Sequence, residues 1–194
     1  MSRLNWVDPS LYPVQERLID GADQDASAPF LVDIGGNIGS DLIRFKNSFP
    51  NPPGRLILQD LPAMTGHITD LDPSIEVMEH DFTTEQPVKG SRAYFMHSCM
   101  HNWPTKVCEE ILLRVKEAMR PGYSKLLLFE IVIPDVGAYW EDTGLDMIVM
   151  AVCASEQRTV EAWHDLIENR VGLKIEKIWG PGRGQESLIE CTLG

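Results

Sequence analysis

Phe30-Leu31-Val32-Asp33-Ile34-Gly35-Gly36-Asn37-Ile38-Gly39 is an apolar run that ends in an acid and a glycine-rich turn. Read as a strand and the turn after it, the stretch delivers Asp33 to the C-terminal edge of a sheet. The glycines let the chain reverse tightly, and the next helix offers unsatisfied N–H groups to a ligand. An α/β sheet presents a nucleotide-like cofactor in this way, although glycines after a strand also serve simply to make a turn.

Outward from this stretch, apolar runs at 30–34, 55–59, 75–79, 93–97 and 125–133 alternate with helical patterns, and two more follow at 173–179 and 186–193. That order is α/β. A helix is expected over 38–49. Val107, Ile111, Leu112, Val115 and Met119 form an apolar stripe at helical spacing, with Pro104 in its first turn and Pro121-Gly122 after its end. Residues 145–153 read as a nearly all-apolar helix and 160–171 as an amphipathic one. Only Gly180 to Gln185 separates the last two strands, so a hairpin closes the sheet. Residues 1–29 form an N-terminal segment with a short helix at 14–19, and 30–194 form the α/β domain.

A chain of 194 residues is long enough for one full hydrophobic core. Its net charge of −12 argues against a nucleic-acid surface and against attraction to anionic membranes, so small molecules are the expected partners. No window reaches the roughly 20 apolar residues of a membrane span, and the first 20 residues lack a signal-peptide pattern, which predicts a cytoplasmic protein. Cys99, Cys108, Cys153 and Cys191 are far apart, with no C-x-x-C spacing, and read as reduced thiols.

Several separated phrases together resemble the plant and fungal small-molecule O-methyltransferases that use S-adenosylmethionine. They are Asp33-Ile34-Gly35-Gly36, Leu58-Gln59-Asp60-Leu61-Pro62, His80-Asp81-Phe82, Met100-His101-Asn102-Trp103-Pro104, Glu130, Leu145-Asp146, Arg158-Thr159 and Glu186-Ser187-Leu188-Ile189-Glu190. Gln86-Pro87-Val88-Lys89-Gly90 and the run from Pro121 to Leu127 resemble the fungal branch, which implies secondary metabolism. The resemblance implies a Rossmann-like methyltransferase sheet, mostly parallel with an antiparallel C-terminal hairpin and helices on both faces.

It also implies roles. Asp33, Gly35, Gly36, Asn37 and Gly39 would border the cofactor, Asp60 would hold the ribose hydroxyls, and Asp81 and Phe82 would flank the adenine. A carboxylate suits a diol and an aromatic face suits a purine. His101 stands where the family keeps its general base, a role for which an imidazole is suited near neutral pH. Glu130 would orient it, with His97 and Gln157 at two further catalytic positions. Met100, Trp103, Asp146, Met147 and Met150 would line the pocket for a small aromatic or polyketide substrate.

Four positions depart from the family pattern, all in the direction of weaker methyl transfer. Asn37 replaces the third glycine of the turn. His97 replaces a Lys or Arg, turning a permanent charge into a conditional one. Asn102 replaces the acid after the base, and would cap a helix beginning near Trp103. Gln157 stands where the family has an acid, with Glu156 one step away. The family's N-terminal dimerisation domain has no counterpart in this sequence, so a shallower acceptor site or a homodimer of a new kind is expected. The apolar stretch Met147 to Cys153 would then be left open to solvent or to a partner. His97 and His101 are four apart, a spacing that can bind a metal on a helix. No third ligand is evident, and no metal is expected.

Three functions are compatible with these residues. The favoured one is a scaffold repurposed for His101-assisted proton transfer, such as cyclisation or isomerisation of a phenolic polyketide, with S-adenosylmethionine binding left open. The second is ordinary O-methylation of a phenol or enol. The third is a non-catalytic partner of a full-length homologue.

Overall fold

The computed structural model describes residues 5–134, 136–137, 140–180 and 186–194. Five parallel strands, β1 (Pro29–Ile34), β2 (Arg55–Asp60), β3 (Ile75–Glu79), β4 (Ala93–His97) and β5 (Lys125–Ile131), make most of the sheet. β6 (Leu173–Trp179) and β7 (Glu186–Leu193) pair antiparallel to each other, and β7 pairs antiparallel to β5. The order is β3-β2-β1-β4-β5-β7-β6, the mostly parallel Rossmann-like methyltransferase sheet. The chain reverses direction across the sheet between β1 and β4, and a crevice opens there beyond the strand ends. Residues 181–185, which hold the expected hairpin turn, lie outside the described residues.

Alternate side chains of each buried strand feed two cores. Val32, Ile34, Tyr94, Met96, Leu126 and Leu128 pack against Cys108, Ile111, Leu112 and Val115 of helix α3 (Thr105–Ala118). On the opposite face, Leu31, Leu58, Phe95 and Phe129 pack against Leu42 and Phe45 of α1 (Ser40–Ser48), and a single-turn helix, α2 (Pro62–Thr65), follows β2. The N-terminal segment completes this second core. Trp6 stacks on Phe95 with ring centroids 4.6 Å apart, and Tyr12 and Leu18 are fully buried. The short helix expected there is a π-helical turn, Gln15–Ile19.

Several boundaries differ from the sequence reading for local reasons. α1 begins at Ser40 because Asn37 and Gly39 hold φ at 56° and 81°, which the first turn of a right-handed helix cannot accommodate. β5 stops at Ile131; Ile133 forms only an isolated bridge to Thr159. The expected helix over 160–171 is α5 (Val160–His164), capped by Thr159, followed by a π-helical stretch, Asp165–Val171. Pro104 sits at the N-cap of α3, one residue before the first turn. Helix α4 (Trp140–Cys153) begins five residues earlier than expected. No helix among the described residues is long and apolar enough to cross a membrane.

Candidate functional site

A groove of about 460 Å³ opens at the C-terminal ends of β1, β2 and β4, bordered by Gly35, Asn37, Asp60, Ser98 and Asn102. The turn after β1 is pinned to β2, since the Gly35 and Gly36 N–H groups both donate to the Gln59 carbonyl at 2.8 and 3.2 Å. Gly36 cannot be replaced without disruption, because a Cβ there would lie 2.4 Å from Asp33 Oδ2 and from Leu58 Cδ1. Asn37 follows in the left-handed region, which Asn tolerates better than most residues.

Asp60 faces the groove and is held by two main-chain donors, Asn37 N to Oδ2 at 2.8 Å and Leu61 N to Oδ1 at 2.7 Å. Each oxygen keeps a further acceptor direction, which matches a vicinal diol. Asp33 is fully buried, and neither carboxyl oxygen has a hydrogen-bond partner among the described residues. Burial, reinforced by Asp41, pushes its pKa well above the usual carboxylate range. Asp81 Oδ1 accepts from Thr83 N at 2.9 Å and from Thr83 Oγ1 at 2.7 Å, which shapes its own turn. Phe82 lies edge-on to Trp103 with centroids 5.9 Å apart.

His97, at the end of β4, borders the same groove and bonds two carboxylates brought from distant elements. Nδ1 meets Asp41 Oδ2 of α1 at 2.7 Å, and Nε2 meets Glu186 Oε1 of β7 at 3.1 Å. Burial depresses its pKa, but the Asp41 and Glu186 bonds outweigh burial and raise it to about 9. The charge expected to be conditional is therefore kept throughout the neutral range. Neither Asp41 nor Glu186 was marked by the sequence as a partner, since they lie 56 and 89 residues away.

His101 sits on a 3-10 turn, Met100–Asn102, between β4 and α3. Glu130 of β5, fully buried, gathers three donors: its Oε1 accepts from Cys99 N and Met100 N, both at 2.7 Å, and its Oε2 meets His101 Nδ1 at 2.9 Å. A carboxylate already holding two N–H groups is an acceptor, so Nδ1 carries its proton toward Glu130 and Nε2 keeps its lone pair. The imidazole is 21% exposed, and its chain neighbours Ser98, Cys99 and Asn102 border the groove. Asn102 does not cap a helix. Because α3 begins at Thr105, the Asn102 amide donates instead to the Ser98 carbonyl at 3.3 Å.

The other expected site residues are more dispersed. Gln157 is buried and its N–H donates to Asp146 Oδ1 at 2.7 Å, while the exposed Glu156 accepts from Thr105 Oγ1 at 3.0 Å. Met100 is fully buried in the core beneath the His101 turn, whereas Met147 and Met150 stand exposed on α4. His97 and His101 are held by different carboxylates on different elements, and no group of three or more His, Cys, Asp or Glu residues among those described could hold a metal ion.

The O-methyltransferase domain family matches residues 14–172. Methyltransferase cfoC of Aspergillus candidus is 41% identical over 189 residues, which cover 97% of this chain and 46% of the relative. Among solved structures, "A Pericyclic Reaction enzyme" is 31% identical, with a TM-score of 0.87 over 95% of this chain and 48% of the other. OxaC in complex with SAH and oxaline is 30% identical, with a TM-score of 0.85 over 97% of this chain and 48% of the other. The chain spans about half the length of the curated relatives it matches.

Proposed function

This chain belongs to the O-methyltransferase domain family, and on that footing we propose that it binds S-adenosylmethionine between Gly35 and Asp60 and methylates a phenol or enol hydroxyl of a small aromatic or polyketide metabolite. The observation that carries the reading is the three-donor hold of buried Glu130, which engages His101 Nδ1 and leaves Nε2 without a hydrogen-bond partner among the described residues, on a turn whose Ser98, Cys99 and Asn102 border the groove. The residues present fit the cofactor. Asp60 keeps an acceptor direction on each oxygen, Gly36 lets the turn pack tightly on Asp33 and Leu58, and Asp33 offers a buried carboxyl without a hydrogen-bond partner among the described residues.

When bound, S-adenosylmethionine would supply an electrophilic sulfonium methyl. The chain's own part is acid–base chemistry. Nε2 of His101 takes the hydroxyl proton as the oxygen becomes nucleophilic, and Glu130 stabilises the imidazolium that results. His97 does not compete for that proton, since both of its nitrogens are engaged by carboxylates.

Calorimetric titration with S-adenosylmethionine tests the cofactor half. Saturable binding that Asp60→Asn weakens supports the reading, and an absence of binding at millimolar cofactor removes it. A second reading, proton-transfer cyclisation or isomerisation on the same scaffold, is favoured by the likeness to "A Pericyclic Reaction enzyme". A phenolic substrate converted to a product of unchanged mass would select it; a gain of one methyl selects methyl transfer.

A further inference from the structure

The turn that carries His101 is gripped from both ends by buried side chains of opposite charge. Glu130 accepts its leading N–H groups, as described above. Arg158, only 2% exposed, takes its carbonyls: Nη1 donates to Met100 O at 3.1 Å and Nη2 to Trp103 O at 3.0 Å. The anion meets the positive end of the turn's peptide dipoles, and the bond from Nη2 to Trp103 O puts the cation at the negative end, which is the favourable sense for both.

Nearby groups tighten the same hold. Ser155 Oγ donates to Trp103 O at 2.7 Å, and Cys108 Sγ lies 3.2 Å from each of the two carbonyls. Both grips are rooted in one strand and its extension. Glu130 belongs to β5, while the Arg158 carbonyl accepts the N–H of Ile133, two residues past the end of β5, at 3.1 Å. The guanidinium is fixed laterally by Trp163, with Cζ 5.5 Å from the ring centroid. A planar fork can hold two divergent carbonyls at once, which a lysine ammonium does poorly.

We propose that Arg158 is a positioning residue for His101: by holding the Met100 and Trp103 carbonyls against the pull of Glu130 on the Cys99 and Met100 N–H groups, it fixes the turn in the orientation that brings the imidazole onto Glu130. The inference rests on His101 as the base, but the geometry of the hold can be tested without any acceptor. Loss of the fork takes one donor from each carbonyl, leaving Met100 O to the Trp103 N–H and Cys108 and leaving Trp103 O to Ser155 and Cys108, and it frees the turn to rotate, which lengthens the His101–Glu130 bond.

The test compares wild type with Arg158→Lys, which keeps charge and most of the volume, and with Arg158→Met. Three quantities are read: the His101 Nδ1 proton resonance by NMR, the affinity for S-adenosylmethionine, and kcat on a phenolic acceptor. The expected result for Arg158→Lys is a broadened or shifted Nδ1 resonance, with cofactor affinity kept within about twofold. Turnover falls on the order of 10²-fold, the scale of a small misplacement of a reacting group. An unchanged resonance, or cofactor affinity falling in step with turnover, overturns the proposal. If His101→Ala keeps full turnover, the assignment of the base fails, while the NMR comparison still decides whether Arg158 sets the imidazole.

Discussion

Glu130 and His97 illustrate how much a single side chain's surroundings decide in this groove. Glu130→Gln replaces an acceptor-only carboxylate with an amide whose nitrogen would face donors, so the His101 tautomer is no longer fixed. Turnover should fall by about 10²- to 10⁴-fold, the usual worth of a positioned acid–base group, with cofactor affinity kept. Separate measurement of kcat and of S-adenosylmethionine binding checks this. At His97 the prediction concerns stability. Its pKa is raised from 6.5 to about 9, so its contribution is complete below 6.5 and is lost as pH rises through 9. Asp41, whose carboxyl is held below its ordinary range by the bond to His97, stays ionised across that window and does not offset the loss. Urea unfolding of wild type should therefore lose on the order of 1–3 kcal/mol between these limits. His97→Gln should lose less over the same window, with the slope contributed by buried Asp33 remaining in both proteins; parallel pH profiles for the two would refute the account of this cluster.

At the level of elements, the strands were largely legible because glycines, prolines and polar turns bracket each apolar run, and the described strands end within one or two residues of those marks. The turn after β1 was legible in the same way, since its geometry is local: Gly36 has no room for a side chain. Gly36→Ala should cost about 1–3 kcal/mol through overpacking against Asp33 and Leu58, and should abolish cofactor binding. Thermal unfolding and titration of that variant check both. What the sequence did not reveal depends on contacts between distant elements. Where α1 begins is set by two left-handed residues, one of them Asn37, whose backbone conformation has no sure sequence mark. The change of α5 into a π-helical stretch has none either. The partners of His97 depend on where α1 and β7 place Asp41 and Glu186, and the grip of Arg158 on the His101 turn likewise appears only once β5 and the residues after it are in place.

For the molecule as a whole, the N-terminal segment and the sheet form one packing unit. Trp6 is 1% exposed and stacks on both Phe95 and Phe45. Trp6→Ala should destabilise the chain by about 3–5 kcal/mol, as expected for removing a buried indole, and should slacken the face of the sheet that α1 covers. Denaturant unfolding measures the effect, and a loss of under about 1 kcal/mol would contradict the packing described. The groove lies on the same rigid frame, with Asp60, His97 and Glu130 at the ends of adjacent or nearly adjacent strands. On the function proposed above, this frame holds His101 on Glu130 for proton transfer from an acceptor hydroxyl. The most direct test is a single-turnover reaction of a phenolic acceptor with saturating S-adenosylmethionine, read by product mass for wild type and for His101→Ala. The account predicts one added methyl group with wild type and none with His101→Ala, although that variant still binds the cofactor; methylation at the wild-type rate by His101→Ala would contradict it.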